Sequence, residues 1–246
     1  MAEIQYVGKT PVPNLVKKLS KLNDYIAHDF IGGPRPLKLA WVINFQKFGT
    51  FFFVAALMFL FDNYETAAWV YLGLHGSYGF CWLLKHFAFP DRTWEVFTTI
   101  PSSLMAFLVV LGPYWIAPIL LITGVLGSSY QYPSNEILAT AIFIHTLGAV
   151  IMMSADAQKH YTLQIKKGLI TTGLFKYIRH PNYLGEMMIY GSYALIVGHW
   201  IPWAILGYIW IFFFGVNIWM KESSMSRYPE WADYKKRTKL LIPFVI

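Results

Sequence analysis

The residues most able to do chemistry run from Arg179 to Glu186: Arg-His-Pro-Asn-Tyr-Leu-Gly-Glu. Proline suits the first turn of a helix, where its missing N–H costs nothing. It also pushes His180 out of the helical region. A helix therefore starts here, with unpaired backbone N–H groups and the positive end of its dipole. Arg179 adds a planar fork of donors that suits phosphate or carboxylate. Together these make an anion site. Past the proline, Tyr183, Glu186 and Tyr190 share one helix face, and Asn182 lies one turn before Glu186. A carboxylate at the head of a membrane helix needs a partner or a polar cavity. The plain alternative for Arg179 alone is a side chain reaching up to lipid headgroups.

Other polar groups fall into place around this run. Asp156, Gln158 and Lys159 follow an apolar stretch, and the bland reading is a helix end meeting water. Lys221-Glu222 closes the last apolar stretch. Beyond it Pro229 is expected to start a short helix carrying Trp231, Tyr234 and Lys235-Lys236-Arg237. That tail reads as an interfacial anchor, although its place in the chain lets it fold back over Arg179. Lys85-His86 could meet phosphate or polarise a carbonyl. His75 and His145 sit alone in apolar runs and read as hydrogen-bonded core residues. Gly73, Gly76 and Gly79 read as a close helix contact. Cys81 is the single cysteine, so no intrachain disulfide can form, and no Cys/His zinc spacing exists. No metal site is expected.

The elements that must position these groups are membrane helices. Of 246 residues, 56% are hydrophobic, 18% aromatic and 13% charged, about half the charge of a soluble domain. A disordered chain, a coiled coil and a collagen-like fibre are excluded. With about 20 apolar residues needed per crossing, candidate spans are 48–61, 67–84, 102–126, 137–153, 183–197 and 202–220. Pro113 divides the third, so it is one kinked span or two short ones.

Charge favours one. The net charge is +7, and its Lys and Arg collect in 1–47, 154–182 and the tail. A single crossing of 102–126 puts all of these on one face, as the positive-inside rule asks. Two crossings would split them. The expected fold is thus an all-α polytopic helical bundle of about six transmembrane helices, six to seven in all. Residues 13–30 space Leu15, Val16, Leu19, Leu22, Tyr25 and Ile26 as an amphipathic helix. It lies on the membrane surface or on the domain's own cytosolic loops. The chain reads as one membrane domain, 1–246. It comprises an interfacial segment 1–47, upstream spans 48–153 and a site-bearing region 154–246. The first 40 residues show no secretory signal pattern. Nucleic acid is not an expected partner, since no basic-aromatic groove motif is present.

At Arg179–Glu186 the chain resembles the membrane enzymes that end in a steroid 5α-reductase C-terminal domain, the DUF1295-type reductase superfamily. Sterol reductases belong to that group, and isoprenylcysteine carboxyl methyltransferases are distant relatives. Their shared signature is G-x-[FWY]-x-x-x-R-H-P-x-Y-x-G. Here it is Gly173-Leu174-Phe175, then Arg179-His180-Pro181-Asn182-Tyr183-Leu184-Gly185. The resemblance covers roughly residue 153 to the C-terminus. Asp156-x-Gln158-Lys159, together with Asn182 and Glu186, is similar to the reductase branch. Lys221-Glu222 stands where methyltransferases often carry a paired Glu.

The resemblance implies an NADPH site between the last four spans. Arg179, His180, Asn182 and Tyr183 would hold phosphates and ribose. Asp156, Gln158, Lys159 and Glu222 would complete the site, with Tyr234 and Arg237 closing it. It implies hydride transfer to a carbon–carbon double bond of a sterol-like or other lipid. The acid for that step is open among Tyr183, Glu186, Lys85 and Tyr78.

Two other classes stay open. One is an S-adenosylmethionine-dependent methyltransferase of the same superfamily. The other is a noncatalytic subunit of a larger membrane assembly. Membrane lipids and a hydrophobic small molecule are the expected partners. Endoplasmic reticulum, mitochondrial inner membrane and bacterial inner membrane are not distinguished.

Overall fold

Helices account for nearly all regular structure in the computed structural model, which describes residues 8–243. The first seven and last three residues of the expected 1–47 and 154–246 segments lie outside the described residues. Four helical stretches are long and apolar enough to cross a membrane: Leu39–Leu60, Ile100–Ile122, Asn135–Ile165 and Trp200–Met225. The chain is an all-α integral membrane protein.

Helix α1 (Asn14–His28) is amphipathic, as its spacing suggests. It runs along the last apolar stretch, where Asn23 Nδ2 donates to Phe212 O at 3.0 Å. Leu15, Leu22 and Tyr25 stay exposed on its outer side. Two short strands, β1 (Leu37–Lys38) and β2 (Phe97–Thr98), then pair antiparallel, Leu37 opposite Thr98. They bring the chain to α2 (Leu39–Leu60). The first N–H groups of α2 go to loop carbonyls, Leu39 N to Val96 O at 3.1 Å and Ala40 N to Trp94 O at 2.8 Å. That answers the need of a helix start for acceptors. The expected start near residue 48 is therefore corrected to Leu39, and Lys47 becomes an interior residue instead of a loop charge.

Helix α3 (Thr66–Ala88) packs along α2. A Cβ on Gly79 would stand 2.7 Å from the Lys47 carbonyl, and one on Gly76 2.7 Å from the Phe51 ring. Gly73 faces nothing within 4 Å, so two of the three glycines make the contact.

The stretch divided by Pro113 is one segment with an irregular middle. Helix α4 (Ile100–Ala106) passes into a π-turn (Phe107–Leu111) and a 3-10 turn (Gly112–Trp115) before α5 (Ile116–Ile122). Its 23 residues span about 35 Å at 1.5 Å per residue, enough for one crossing.

Helix α6 (Asn135–Ile165) has 31 residues and outlasts its apolar part. Residues 154–165, beyond the expected span 137–153, are its last turns. Asp156, Gln158 and Lys159 therefore stand on a rigid helix. Helix α7 (Pro181–Val197) begins at the expected proline and ends at Gly198, whose φ of +63° favours glycine. The last apolar stretch is α8 (Trp200–Ile209), a π-turn (Trp210–Gly215) and α9 (Val216–Met225). The tail helix α10 (Trp231–Arg237) starts two residues after Pro229.

Six crossings would also require α3 and α7. Helix α7 has 17 residues, and α3 carries His75, Ser77 and Lys85. Neither is among the four long apolar stretches. Helices α6 and α7 make the closest contact of the bundle. A Cβ on Gly185 would lie 2.5 Å from Gly148 O, and one on Gly148 2.7 Å from Gly185 O. The glycine of the Pro-Asn-Tyr-Leu-Gly-Glu run is thus a backbone-to-backbone contact. It fixes α7 against the helix bearing Asp156 and Lys159.

Candidate functional site

Three polar clusters lie around the head of α7, between α3 and α6, and deeper in the bundle. The outermost surrounds Arg179 and His180. Arg179 is buried, 7% exposed. Its Nε donates to both Glu222 oxygens, at 2.9 and 3.1 Å, and its Nη1 to Thr238 O at 2.7 Å. His180 Nε2 lies 2.9 Å from Glu222 Oε1. Behind them the tail is stitched down as a strap: Arg179 N donates to Lys239 O and His180 N to Leu240 O. The Tyr234 hydroxyl donates to Phe175 O at 2.8 Å, and burial pushes its pKa up to about 12. Burial lowers His180 below its ordinary 6.5, with the Glu222 bond acting against that shift. His180 is therefore neutral at pH 7. Arg237 is exposed, its guanidinium over the Tyr234 ring at 5.8 Å. In this arrangement Arg179, His180, Glu222 and Tyr234 clamp α7, α9 and the tail together, and the Nε and Nη1 donors of Arg179 have partners inside the chain.

The second cluster lines a cavity of about 190 Å³ between the end of α3 and the last turns of α6. Lys85, Asp91, Arg92, Asp156, Lys159, His160 and Gln164 border it. Lys85 is ion-paired with Asp156, and its ammonium sits 4.5 Å from the centroid of Trp82 and 4.8 Å from that of Trp94. Asp91 accepts from Thr93 N at 3.0 Å and Thr93 Oγ1 at 2.8 Å. Burial acts to raise the Asp91 pKa, but Lys159 and the Thr93 bonds bring it below the usual carboxylate value. Lys159 has no side-chain hydrogen bond or ion pair among the described residues. It feels Lys221 as a like charge and Asp91 and Asp156 as opposite ones. Lys221 in turn donates to the Tyr183 hydroxyl at 3.1 Å. The short connection from α7 to α8 folds the last apolar stretch back along α7 and brings those two together. Gln158 does not face the cavity's charges. It ties down the loop, Nε2 donating to Thr172 O at 2.8 Å and Oε1 accepting from Leu174 N at 3.2 Å. Asn182 is half-buried.

The third cluster is deepest. Lys47 is 3% exposed. It donates to the Tyr78 hydroxyl at 3.0 Å and contacts Glu186 Oε1 at 3.4 Å and the Tyr190 hydroxyl. Trp82 and Tyr190 face the ammonium at 4.6 and 4.5 Å from their ring centroids, a cation–π cage. An ionisable group this deep in a membrane bundle is conspicuous and needs its partners. Glu186 completes the cluster, its carboxylate 3.4 Å from the Lys47 ammonium. Of the proposed acids, Glu186 and Tyr78 join this cluster, Tyr183 joins Lys221, and Lys85 joins Asp156.

Sequence reasoning missed Lys47 because a lysine next to an apolar run reads as its boundary. The signal was present: Leu39 to Phe45 is largely apolar too, so Lys47 interrupts a longer stretch. Among the described residues no group of three or more metal-ligating side chains is present.

The family model described as "Protein of unknown function (DUF1295)" matches residues 91–238. That range holds Asp91, Asp156, Lys159, Arg179, Glu186 and Glu222; Lys47 and Lys85 lie upstream of it. It also begins well before residue 153, where the motif resemblance starts. Two relatives from Schizosaccharomyces pombe align with shorter stretches. The uncharacterized protein C7D4.09c is 29% identical over 85 residues, 33% of this chain and 30% of the relative. The uncharacterized protein C594.04c is 29% identical over 92 residues, 35% of this chain and 26% of the relative. The aligned stretch thus spans less than a third of either relative.

Proposed function

The chain belongs to the DUF1295 family, a steroid 5α-reductase-like family, and we propose that it is a membrane-embedded, NADPH-dependent reductase of a carbon–carbon double bond in a sterol-like or other lipid. One observation carries the reading. A buried Lys47 meets the Glu186 carboxylate and the hydroxyls of Tyr78 and Tyr190, a proton-donor cluster inside an apolar bundle. Reduction of an activated double bond needs an anion-binding site for the cofactor, a proton donor, and apolar surroundings for the substrate. The cavity between α3 and α6 offers the first, and the Lys47 cluster within the apolar bundle offers the other two.

The donor set fits a phosphate-bearing group in part. Lys159 is not ion-paired and Arg92 is exposed at the cavity rim, so both suit phosphate oxygens. Asp91 and Asp156 suit ribose hydroxyls. A cavity of about 190 Å³ is smaller than a typical ligand site of roughly 300–1,000 Å³, so it takes a phosphate–ribose portion and not a whole dinucleotide. When bound, the cofactor supplies a hydride. The chain supplies the rest. Tyr190 or Tyr78 offers a phenolic proton within the aromatic cage. Lys47 stabilises the phenolate that remains, and Glu186 links the cluster to the wetter end of the helix.

The test is ligand binding to detergent-purified protein. NADPH is expected to bind, and more weakly as salt rises. Tight binding of S-adenosylhomocysteine without NADPH would sink the reading and assign a methyltransferase. Binding of neither, with copurification as a stoichiometric member of a complex, would assign a noncatalytic subunit.

A further inference from the structure

Helix α1 packs on its own domain with only part of its apolar arc. Asn23 faces inward, donating to Phe212 O. Val16, Leu19 and Ile26 share that face at helical spacing and are half-buried. Leu15, Lys18, Leu22 and Tyr25 form the neighbouring stripe at the same spacing. Leu15, Leu22 and Tyr25 are 68%, 49% and 46% exposed. Lys17 and Lys21 border this stripe, and both are exposed, as is Lys18. None of the three lysines has an ion pair or a side-chain hydrogen bond among the described residues. The acids close by are engaged elsewhere, Asp24 with His28 at 3.1 Å and Asp29 with Arg35 at 2.9 Å.

The contacts beneath α1 set its level in the molecule. Phe214, two residues on from Phe212, packs against Tyr183 in the first turn of α7, 4.8 Å between ring centroids. Asn23 therefore stands near the level at which α7 begins. Past the end of α1, Phe30 N donates to Ser102 Oγ at 2.8 Å, and Thr99 Oγ1 donates to Phe30 O at 3.1 Å. Thr99 and Ser102 stand at the head of the apolar stretch Ile100–Ile122. The second half of α1 is thus fastened at two places where apolar helices begin, which is the membrane surface. Ile31 follows with a φ of +64°, a conformation that a β-branched residue rarely adopts. Its side chain is 74% exposed, and its N–H donates to the Tyr25 hydroxyl at 3.3 Å. An exposed isoleucine held under strain beside an exposed apolar stripe marks a binding element.

We propose that the outer stripe of α1, with Ile31 beside it, docks on an anionic phospholipid surface. Leu22, Tyr25 and Ile31 enter the boundary between headgroups and acyl chains, with Leu15 at the outer edge. Lys17, Lys18 and Lys21 reach the headgroup phosphates and carboxylates on their long stems. Lysines without acidic partners complement a negatively charged leaflet. A protein partner fits the stripe less well. Lysine is depleted from the centres of protein interfaces, and Lys18 stands between Leu15 and Leu22 in the middle of this one.

The test uses the full chain in nanodiscs of phosphatidylcholine, with and without phosphatidylserine. A nitroxide on Leu22→Cys, in a Cys81→Ala background, is expected to meet dissolved oxygen more often than a water-soluble nickel chelate. One on Lys17→Cys is expected to show the reverse. Amide exchange across residues 14–28 of the wild type is expected to be at least about tenfold slower with phosphatidylserine, since each lysine near an anionic surface contributes roughly a factor of five before screening. The difference should shrink as salt rises. It should vanish in the combined Lys17→Gln, Lys18→Gln, Lys21→Gln variant, which folds as the wild type does because these lysines have no partner in the chain. A Leu22 label that meets nickel as freely as the Lys17 label assigns the stripe to water and overturns the proposal. A Leu22 label immobilised and shielded from both reagents assigns it to a protein partner and overturns it too. Equal exchange in the two kinds of disc overturns the choice of an anionic surface.

Discussion

Replacing Lys47 with Met removes the one cation of the deepest cluster while keeping an unbranched side chain of similar length. Glu186 then loses the partner that stands 3.4 Å away, and Tyr78 and Tyr190 lose a charged donor. Breaking a buried ion pair costs about 3–5 kcal/mol because one charge is left uncompensated. Glu186 is 20% exposed and the contact is long, so the lower end applies, about 3 kcal/mol. At about 2–4 °C per kcal/mol for a chain of this size, the melting midpoint is expected to fall by roughly 6–12 °C. Glu186→Gln is expected to lose somewhat less, since two hydroxyls still surround the ammonium. The combined Lys47→Met, Glu186→Gln variant carries neither charge. It should recover much of the loss, with a coupling of about 2 kcal/mol. The assay is thermal unfolding of detergent-purified protein at one fixed scan rate, since membrane proteins seldom refold. Additive losses in the double variant would falsify the pairing and leave Lys47 as a mere snorkelling residue. If the cluster is the proton source, the recovered double variant will bind NADPH normally yet turn over about 100-fold more slowly or worse.

Three further outcomes follow. Gly185→Ala places a methyl 2.5 Å from Gly148 O and 2.6 Å from Met152 N. The two backbones must part, so stability should fall by about 1–3 kcal/mol, read as a lower melting midpoint; an unchanged midpoint would show that α6 and α7 are not in contact there. Because α7 carries the cluster residues, activity should fall further than stability does. His180 has a pKa lowered from 6.5, so its contribution to stability is full above that value and is lost as pH falls through its lowered folded value. The melting midpoint should therefore drop on acidification below pH 6.5, and His180→Gln should flatten that slope; an equal slope in the variant refutes the assignment. Lys159→Glu reverses a charge at the 190 Å³ cavity and should weaken NADPH binding at least about tenfold at low salt, with the difference shrinking as salt rises. Equal binding by wild type and variant in isothermal titration would remove Lys159 from the cofactor site.

Much of the local architecture was legible because it rests on short-range rules. Proline at a helix start located α7 to the residue. Glycines at i and i+3 foretold the α2–α3 packing at Gly76 and Gly79. The tail's return over Arg179 followed from its order in the chain. Where the reading failed, long-range partners decided. Helix α6 runs on to Ile165, and Gln158 on its last turns ties down the following loop at Thr172 and Leu174, partners that no local signal encodes. Helix α2 starts at Leu39 because loop carbonyls of Trp94 and Val96, more than fifty residues away, receive its first N–H groups.

Lys47 and His75 show the deeper limit. A lysine beside an apolar run reads as its boundary and a histidine within one as a hydrogen-bonded core residue, and only the other helices decide whether either has a partner. Lys47 finds Tyr78 on α3 and Glu186 and Tyr190 on α7, and it is this meeting that makes a lysine tolerable in the bundle. His75 finds only a stacked ring, and its nitrogens stay unpaired. The two cases have the same sequence appearance, one polar residue inside an apolar run. They differ in whether the fold satisfies them. Lys47 is satisfied, and its partners place a proton-donor cluster inside the bundle. Tyr190→Phe keeps the ring stacked on Tyr114 and removes the hydroxyl from Lys47. It is therefore expected to keep NADPH binding while slowing turnover; unchanged turnover would remove Tyr190 from proton delivery and leave Tyr78 as the donor.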